Sequence, residues 1–115
     1  MAQTPETKLK NEVMLWCGEH GYTVIRLNSG RGYNGEIFNS PEYGKIIISP
    51  RPIKLCTEGT TDLQVIMPNR IAFVETKVHP RKPTSEQIKF INRMKSLGHI
   101  AGVVYSIDEL EKLLS

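Results

Sequence analysis

Asp62, Glu75 and Lys77 are the residues of this chain whose types and spacing could do chemistry. Thr61-Asp62-Leu63 places an acid at the start of one apolar run, and Val74-Glu75-Thr76-Lys77 places an acid-x-lysine at the end of the next, thirteen positions after the aspartate. Side chains alternate across a strand, so Glu75 and Lys77 share a face while Thr76 points the other way. An aspartate brought beside that glutamate makes a compact, oxygen-rich pocket with one ammonium at its rim. Such a pocket suits a hard divalent cation and an attacking water, which is the equipment for cutting a phosphodiester.

The letters alone are cheap, and context gives them weight. Glu6-Thr7-Lys8 spells another glutamate-x-lysine, but it falls at a helix start, where residues two apart do not face each other. Around Glu75, Ile71-Ala72-Phe73-Val74 and Leu63-Gln64-Val65-Ile66-Met67 are apolar and partly β-branched, so each reads as a strand, joined by the short turn Pro68-Asn69-Arg70. Buried strands seldom carry acids and lysines without a reason, and sites cluster ionisable groups in one place. The competing reading is a solvated strand end with an incidental salt bridge.

Composition bounds the rest. The chain of 115 residues is long enough for one domain and one core, so residues 1–115 are read as a single unit. No apolar run approaches the length of a membrane span, and the N-terminal residues lack a signal peptide's apolar segment, which points to the cytoplasm. Cys17 and Cys56 stand far apart with no CxxC, which argues for reduced, buried thiols and against zinc. The net charge of +3 is weak evidence for nucleic acid by itself, and its distribution says more. Arg26, Arg31, Lys45, Arg51 and Lys54 precede the acidic pocket, and Lys77, His79, Arg81 and Lys82 follow it. A basic rim around an acidic centre would hold phosphates while the centre holds a cation.

The positioning elements are legible along the chain. Thr4 caps a helix with Pro5 at its first position, running to Gly18 or Gly21 with Leu9, Val13, Trp16 and Cys17 as its apolar stripe. A strand over Tyr22–Leu27 follows, then a long Gly- and Asn-rich loop from Asn28 to Gly44 and a short strand Ile46-Ile47-Ile48, which Pro50 and Pro52 close. After the hairpin of Asp62 and Glu75, Thr84 and Gln87 form a capping box opening a helix through Leu97, with Ile88, Ile91, Met94 and Leu97 facing the core and Gly98 ending it. Ile100 to Tyr105 is a nearly continuous apolar strand, expected inside the sheet. Ser106 and Glu109 form a second capping box for a short C-terminal helix.

The resulting class is α/β, a mixed α+β sheet with an αβββαβ core, helices on both faces, one extra strand and the short C-terminal helix. Register then supplies a sharp expectation. Opposed residues of an antiparallel pair point to one face, so Asp62 shares Glu75's face only if the turn holds two or four residues, or if a bulge intervenes. A regular three-residue turn would pair Asp62 with Thr76 and aim it away.

Taken together, the order of elements and four segments resemble the PD-(D/E)xK nuclease superfamily, and more closely its virus-type replication-repair nuclease domain, VRR-Nuc. The segments are Arg26-Leu27-Asn28-Ser29-Gly30, Gly59-Thr60-Thr61-Asp62-Leu63, Phe73-Val74-Glu75-Thr76-Lys77, and Thr84-Ser85-Glu86-Gln87 with Phe90. The superfamily's proline before the aspartate is Thr61 here. The resemblance implies that Asp62 and Glu75, with the backbone carbonyl of Thr76, ligate Mg²⁺ or Mn²⁺, and that Lys77 orients the attacking water or neutralises phosphate oxygens. It also draws attention to Glu12 on the first helix, as a metal ligand or as a solvated helical glutamate. Gln87 matches the family's glutamine, in a catalytic role or as the cap's reciprocal partner. Arg26, Ser29 and Gly30 would contact the DNA backbone.

The same resemblance implies a metal-dependent deoxyribonuclease acting on branched, flapped or duplex DNA in replication, recombination or repair, as a homodimer, in a bacterium or phage-infected cell, with no nucleotide cofactor. Gly30-x-Gly32-x-x-Gly35 spells a dinucleotide fingerprint, but Glu36 to Pro41 cannot open a helix of useful length, so the glycines read as a flexible loop. His20, His79 and His99 read as surface residues. A non-catalytic DNA- or RNA-binding module is the rival from another class, and the intact acid-acid-lysine set argues against it. A sequence-reading restriction-type endonuclease is the second rival, and little chain beyond residues 28–58 is left for base contacts.

Overall fold

A computed structural model of the chain describes residues 3–27, 31–42, 44–54 and 59–115, with residues 31–40 and 44–54 described by backbone alone. Helix α1 spans Pro5–Glu19. Thr4 is its N-cap, and the Thr4 hydroxyl oxygen accepts from the Thr7 N–H at 3.2 Å, satisfying one of the donors a helix start leaves open. Leu9, Val13 and Cys17 recur at helical spacing and are buried, while Trp16 is half-buried. Burial pushes the Cys17 thiol up to about 11, so it is an inert core group; Cys56 lies outside the described residues.

Strand β1 (Thr23–Arg26) pairs antiparallel with β4 (Leu63–Met67), which pairs antiparallel with β5 (Arg70–Thr76). Met67 faces Arg70, so the turn holds only Pro68 and Asn69, the even-numbered case. Asn69 sits at φ 60°, a left-handed conformation that asparagine tolerates better than most side chains. Leu63, Val65, Met67, Ala72, Val74 and Thr76 then share the buried face, where Leu9, Val13 and Cys17 of α1 join the core. The opposite face carries Gln64, Phe73 and Glu75.

Helix α2 spans Ser85–Ser96 and leads back into β6 (Ile100–Val104), which runs parallel to β5. Its capping box is complete, with Thr84 and Gln87 each accepting from the other's N–H, and Gly98 follows at φ 90°. Phe90 meets Phe73 edge-on at 5.5 Å, which places α2 over the Glu75 face of the sheet. Only Ile91 of the expected α2 stripe is buried, while Ile88 and Leu97 are largely exposed. Helix α3 (Ile107–Leu114) buries Leu110 and Leu114 in the same core as α1, so helices do cover both faces. Ser106 caps it, but Glu109 accepts from the N–H of Tyr105 and not from the cap itself.

Three features differ from the expectations. The sheet order is β1-β4-β5-β6, so among the described residues β6 is an edge and not internal. Its apolar run is explained by α2 and α3 both packing on it. Second, the expected loop from Asn28 to Gly44 contains strand β2 (Arg31–Ser40), paired antiparallel with an eleven-residue β3 (Gly44–Lys54) as a separate two-stranded ribbon. Gly32 and Gly35 therefore lie in a strand, with a register shift between Asn34 and Glu36. Third, Pro50 and Pro52 do not end β3, and Pro52 pairs with Tyr33. In a two-stranded ribbon both strands are edges, so a missing N–H is tolerated on the outward side.

Candidate active site

The acids meet at one end of the four-stranded sheet. The ladder that pairs Leu63 with Val74 puts Asp62, one residue earlier, opposite Glu75. The Asp62 backbone N–H donates to Glu75 Oε1 at 3.1 Å, so the two residues are clamped together before any cation is considered. Asp62 Oδ2 accepts from the Thr76 hydroxyl at 3.0 Å and from the Thr76 N–H at 3.4 Å. Thr76 is fully buried, so the aspartate is tied to an immobile support.

Lys77 is held by backbone as well as by charge. Its N–H donates to the Val104 carbonyl at 3.1 Å, extending the β5–β6 pairing by one residue. Its ammonium lies 3.6 Å from Glu75 Oε2, and both side chains are nearly excluded from water. Gln87 joins them from α2. Its amide nitrogen donates to Glu75 Oε2 at 3.1 Å while its carbonyl oxygen accepts from the Thr84 N–H at 2.9 Å. The helix-capping role and the contact with the acid, set against each other on sequence grounds, are thus made by one side chain at once.

A third carboxylate arrives from α1, and it is Glu6. Carboxylate oxygens of Glu6, Asp62 and Glu75 all lie within 4.8 Å of one another. Glu12, the α1 acid expected here, is exposed and is not part of this group. Helical phase gives the reason. Glu6 precedes buried Val13 by seven residues, about 20° off the same stripe, whereas Glu12 is about 100° round the helix from it. Counting back from Leu9 and Val13 would have found Glu6, and Lys10 with it.

Each of the three acids has a cationic neighbour. Lys77 serves Glu75, Lys10 lies 3.6 Å from Asp62 Oδ1, and Arg81 donates to Glu6 Oε2 at 3.0 Å. Glu75 is the strained member. Burial first, and the Asp62 charge second, push its carboxyl up from 4.5 to about 7, against the opposing pull of Lys77. Three carboxylates form an oxygen-only donor set, with no histidine or thiolate in the group, which fits a hard cation of the Mg²⁺ or Mn²⁺ kind. A buried acid whose ionised form is disfavoured is also a group that a divalent cation would relieve.

The remaining candidates are less gathered. Arg26, Arg81 and Lys82 are exposed, and Arg81 is engaged with Glu6. Ser29 and Gly30 lie outside the described residues, as do the side chains of Arg31, Lys45, Arg51 and Lys54. His20, His79 and His99 are exposed, and none joins the acidic group. Gly59 has a structural duty: it adopts φ 87°, and a Cβ there would collide with the backbone of Glu86, one residue before Gln87. The Gly59-Thr60-Thr61 approach to Asp62 is therefore packed directly against the start of α2.

Sheet order and the crossover helix define a mixed α+β fold with the three acids gathered at one end of the sheet. No family model matches the chain, and no curated protein does. Among solved structures, the chain is similar to one described as a VRR_NUC domain, with a TM-score of 0.65 and 24% identity over 97% of this chain and 96% of that one. A likeness at that identity is one of fold, and the fold is VRR_NUC-like.

Proposed function

We propose that this chain is a divalent-metal-dependent nuclease that hydrolyses phosphodiester bonds of DNA. One observation carries the reading: the carboxylates of Glu6, Asp62 and Glu75 converge within 4.8 Å beside the buried Lys77 ammonium. The VRR_NUC-like fold supports it, since that neighbour's name is that of a nuclease domain. Glu6, Asp62 and Glu75 would hold Mg²⁺ or Mn²⁺, with the Thr76 carbonyl as the further ligand that the family resemblance implies. A bound cation would supply a water of lowered pKa and offset the charge that builds on the phosphate.

The chain's own residues supply the rest. Lys77, fixed by its N–H on Val104 and by burial, presents one ammonium beside Glu75, where it orients a water or neutralises a phosphate oxygen. Gln87 and the Asp62 N–H orient the Glu75 carboxylate from two sides. Thr76 does the same for Asp62. Arg26 and Lys82 are exposed cations suited to phosphate, and they position the substrate without reading its sequence. Selectivity for branched or flapped DNA, a homodimer placing two sites on one substrate, and a role for residues 1–115 as one nuclease unit in the replication, recombination or repair of a bacterium or phage complete the proposal.

The test is cleavage of labelled linear, flapped and branched DNAs in Mg²⁺ or Mn²⁺, with EDTA as control and RNA as counter-substrate. Asp62→Asn and Lys77→Ala should each abolish cleavage while circular dichroism stays native. Metal-independent cutting, or full activity in Lys77→Ala, would overturn the reading. Binding of DNA with no cutting under any of these conditions would favour a non-catalytic module instead. Light scattering of the intact chain tests the dimer.

A further inference from the structure

Glu6 is claimed from two sides. One of its oxygens lies with Asp62 and Glu75, and its Oε2 accepts from the Arg81 guanidinium at 3.0 Å. Arg81 is unlike Lys77 in its setting. Its side chain is 65% exposed where that of Lys77 is 9%, so the guanidinium can leave Glu6 without exposing any core. Its backbone, in contrast, is anchored. The Arg81 N–H donates to the Val78 carbonyl at 2.9 Å, and the Arg81 carbonyl accepts from the Tyr105 hydroxyl at 2.9 Å. Tyr105 in turn stacks on His79 at 4.3 Å. A long, exposed guanidinium thus stands on a fixed base four residues beyond Lys77, at the edge of the acidic group.

We propose that Arg81 is a transferable counter-ion: it competes with a divalent cation for Glu6, and once displaced it binds a phosphate oxygen of the DNA. The proposal rests on the nuclease reading and adds a positioning residue to it. The physical basis is that a guanidinium and a metal ion cannot both neutralise one carboxylate without repelling each other. Guanidinium geometry matches phosphate oxygens as well as carboxylate oxygens, so the same side chain serves both partners. The consequence is a pair of effects of opposite sign from one substitution. Losing Arg81 should tighten metal binding and weaken DNA binding.

The experiment measures Mn²⁺ binding to the intact chain by calorimetry without DNA, and DNA binding by anisotropy in Ca²⁺ over a salt series. Arg81→Met should bind Mn²⁺ roughly threefold to tenfold more tightly, a modest effect because the guanidinium is exposed. Its log–log salt slope for DNA should fall by about one, the loss of a single phosphate contact. Lys82→Met is the control for bare charge. Lys82 is the neighbouring exposed cation and is not paired with Glu6, so its loss should leave Mn²⁺ affinity nearly unchanged. In a Glu6→Gln background the Arg81→Met effect on Mn²⁺ should vanish. Weaker Mn²⁺ binding in Arg81→Met, an equal gain in Lys82→Met, or an unchanged salt slope would each overturn the proposal while leaving the nuclease reading in place. Failure of the unaltered chain to bind Mn²⁺ would remove both.

Discussion

Replacing Glu75 by glutamine should flatten the pH dependence of the fold's stability while destroying the site. In the folded chain the Glu75 carboxyl is pushed from 4.5 up to about 7, chiefly because it is buried and secondarily because Asp62 is beside it. Each tenfold in proton affinity is worth about 1.4 kcal/mol, so the ionised form costs the fold about 3 kcal/mol. The sign follows from proton binding. Between pH 4.5 and about 7 the folded state holds the proton more tightly than the unfolded state, so this group's contribution is present below 4.5 and lost as pH rises through 7. A glutamine does not titrate. The stability difference, Glu75→Gln minus the native chain, should therefore grow by about 3 kcal/mol from about pH 4.5 to about pH 8, whatever constant offset the altered hydrogen bonds to Asp62 and Gln87 introduce. Urea unfolding in EDTA at the two pH values measures it. Adding Mn²⁺ at the higher pH should shrink the gap, because a cation that binds only the folded carboxylates stabilises the native chain by mass action. Identical pH dependence of the two proteins would refute the argument from burial.

Other outcomes rest on the same geometry. Gly59→Ala should lower stability by about 2–4 kcal/mol in urea unfolding, since it combines a positive φ with a collision against the Glu86 backbone, and it should reduce cleavage by displacing Gln87. Glu6→Gln should weaken Mn²⁺ binding by calorimetry, whereas Glu12→Gln, on the exposed side of α1, should not. Arg70→Ala should cost about 1 kcal/mol by thermal melt, because the Arg70 guanidinium donates to the Leu114 carbonyl at 2.8 Å and tethers the end of α3.

Local rules carried much of this fold. Thr4 and Thr84 announce their helices because a hydroxyl three residues before an open N–H has few other uses, and both caps form. That the turn would hold two or four residues, or that a bulge would intervene, was legible from the need for Asp62 to face Glu75, and the fold takes the two-residue case. What stayed hidden depended on tertiary context. The β2–β3 ribbon is rich in Gly, Asn and Pro, residues that score against strands, and it is held by ladder bonds that composition does not report. Edge placement of β6 was hidden because a continuous apolar run records cover on both faces, not neighbours on both sides. Ile88 and Leu97 fit a helical stripe by spacing, yet α2 buries only Ile91, because spacing reports which residues share a face and not how much of that face is covered. Glu6 is hidden for a different reason: locally it spells an acid-x-lysine with Lys8, while its partner in the fold is Arg81, 75 residues away.

The amide of Gln87 has only one orientation open to it. Because its oxygen is committed to the Thr84 N–H, the side chain can offer Glu75 nothing but hydrogens. A flipped amide would put two acceptors face to face and unlatch the first turn of α2 in the same movement. The helix start therefore acts as a polarity key, admitting an acceptor at that Glu75 oxygen and refusing a donor. Any fraying of Ser85–Gln87 would loosen the acid at the same moment, so the order of one helical turn and the orientation of the Glu75 carboxylate are a single event.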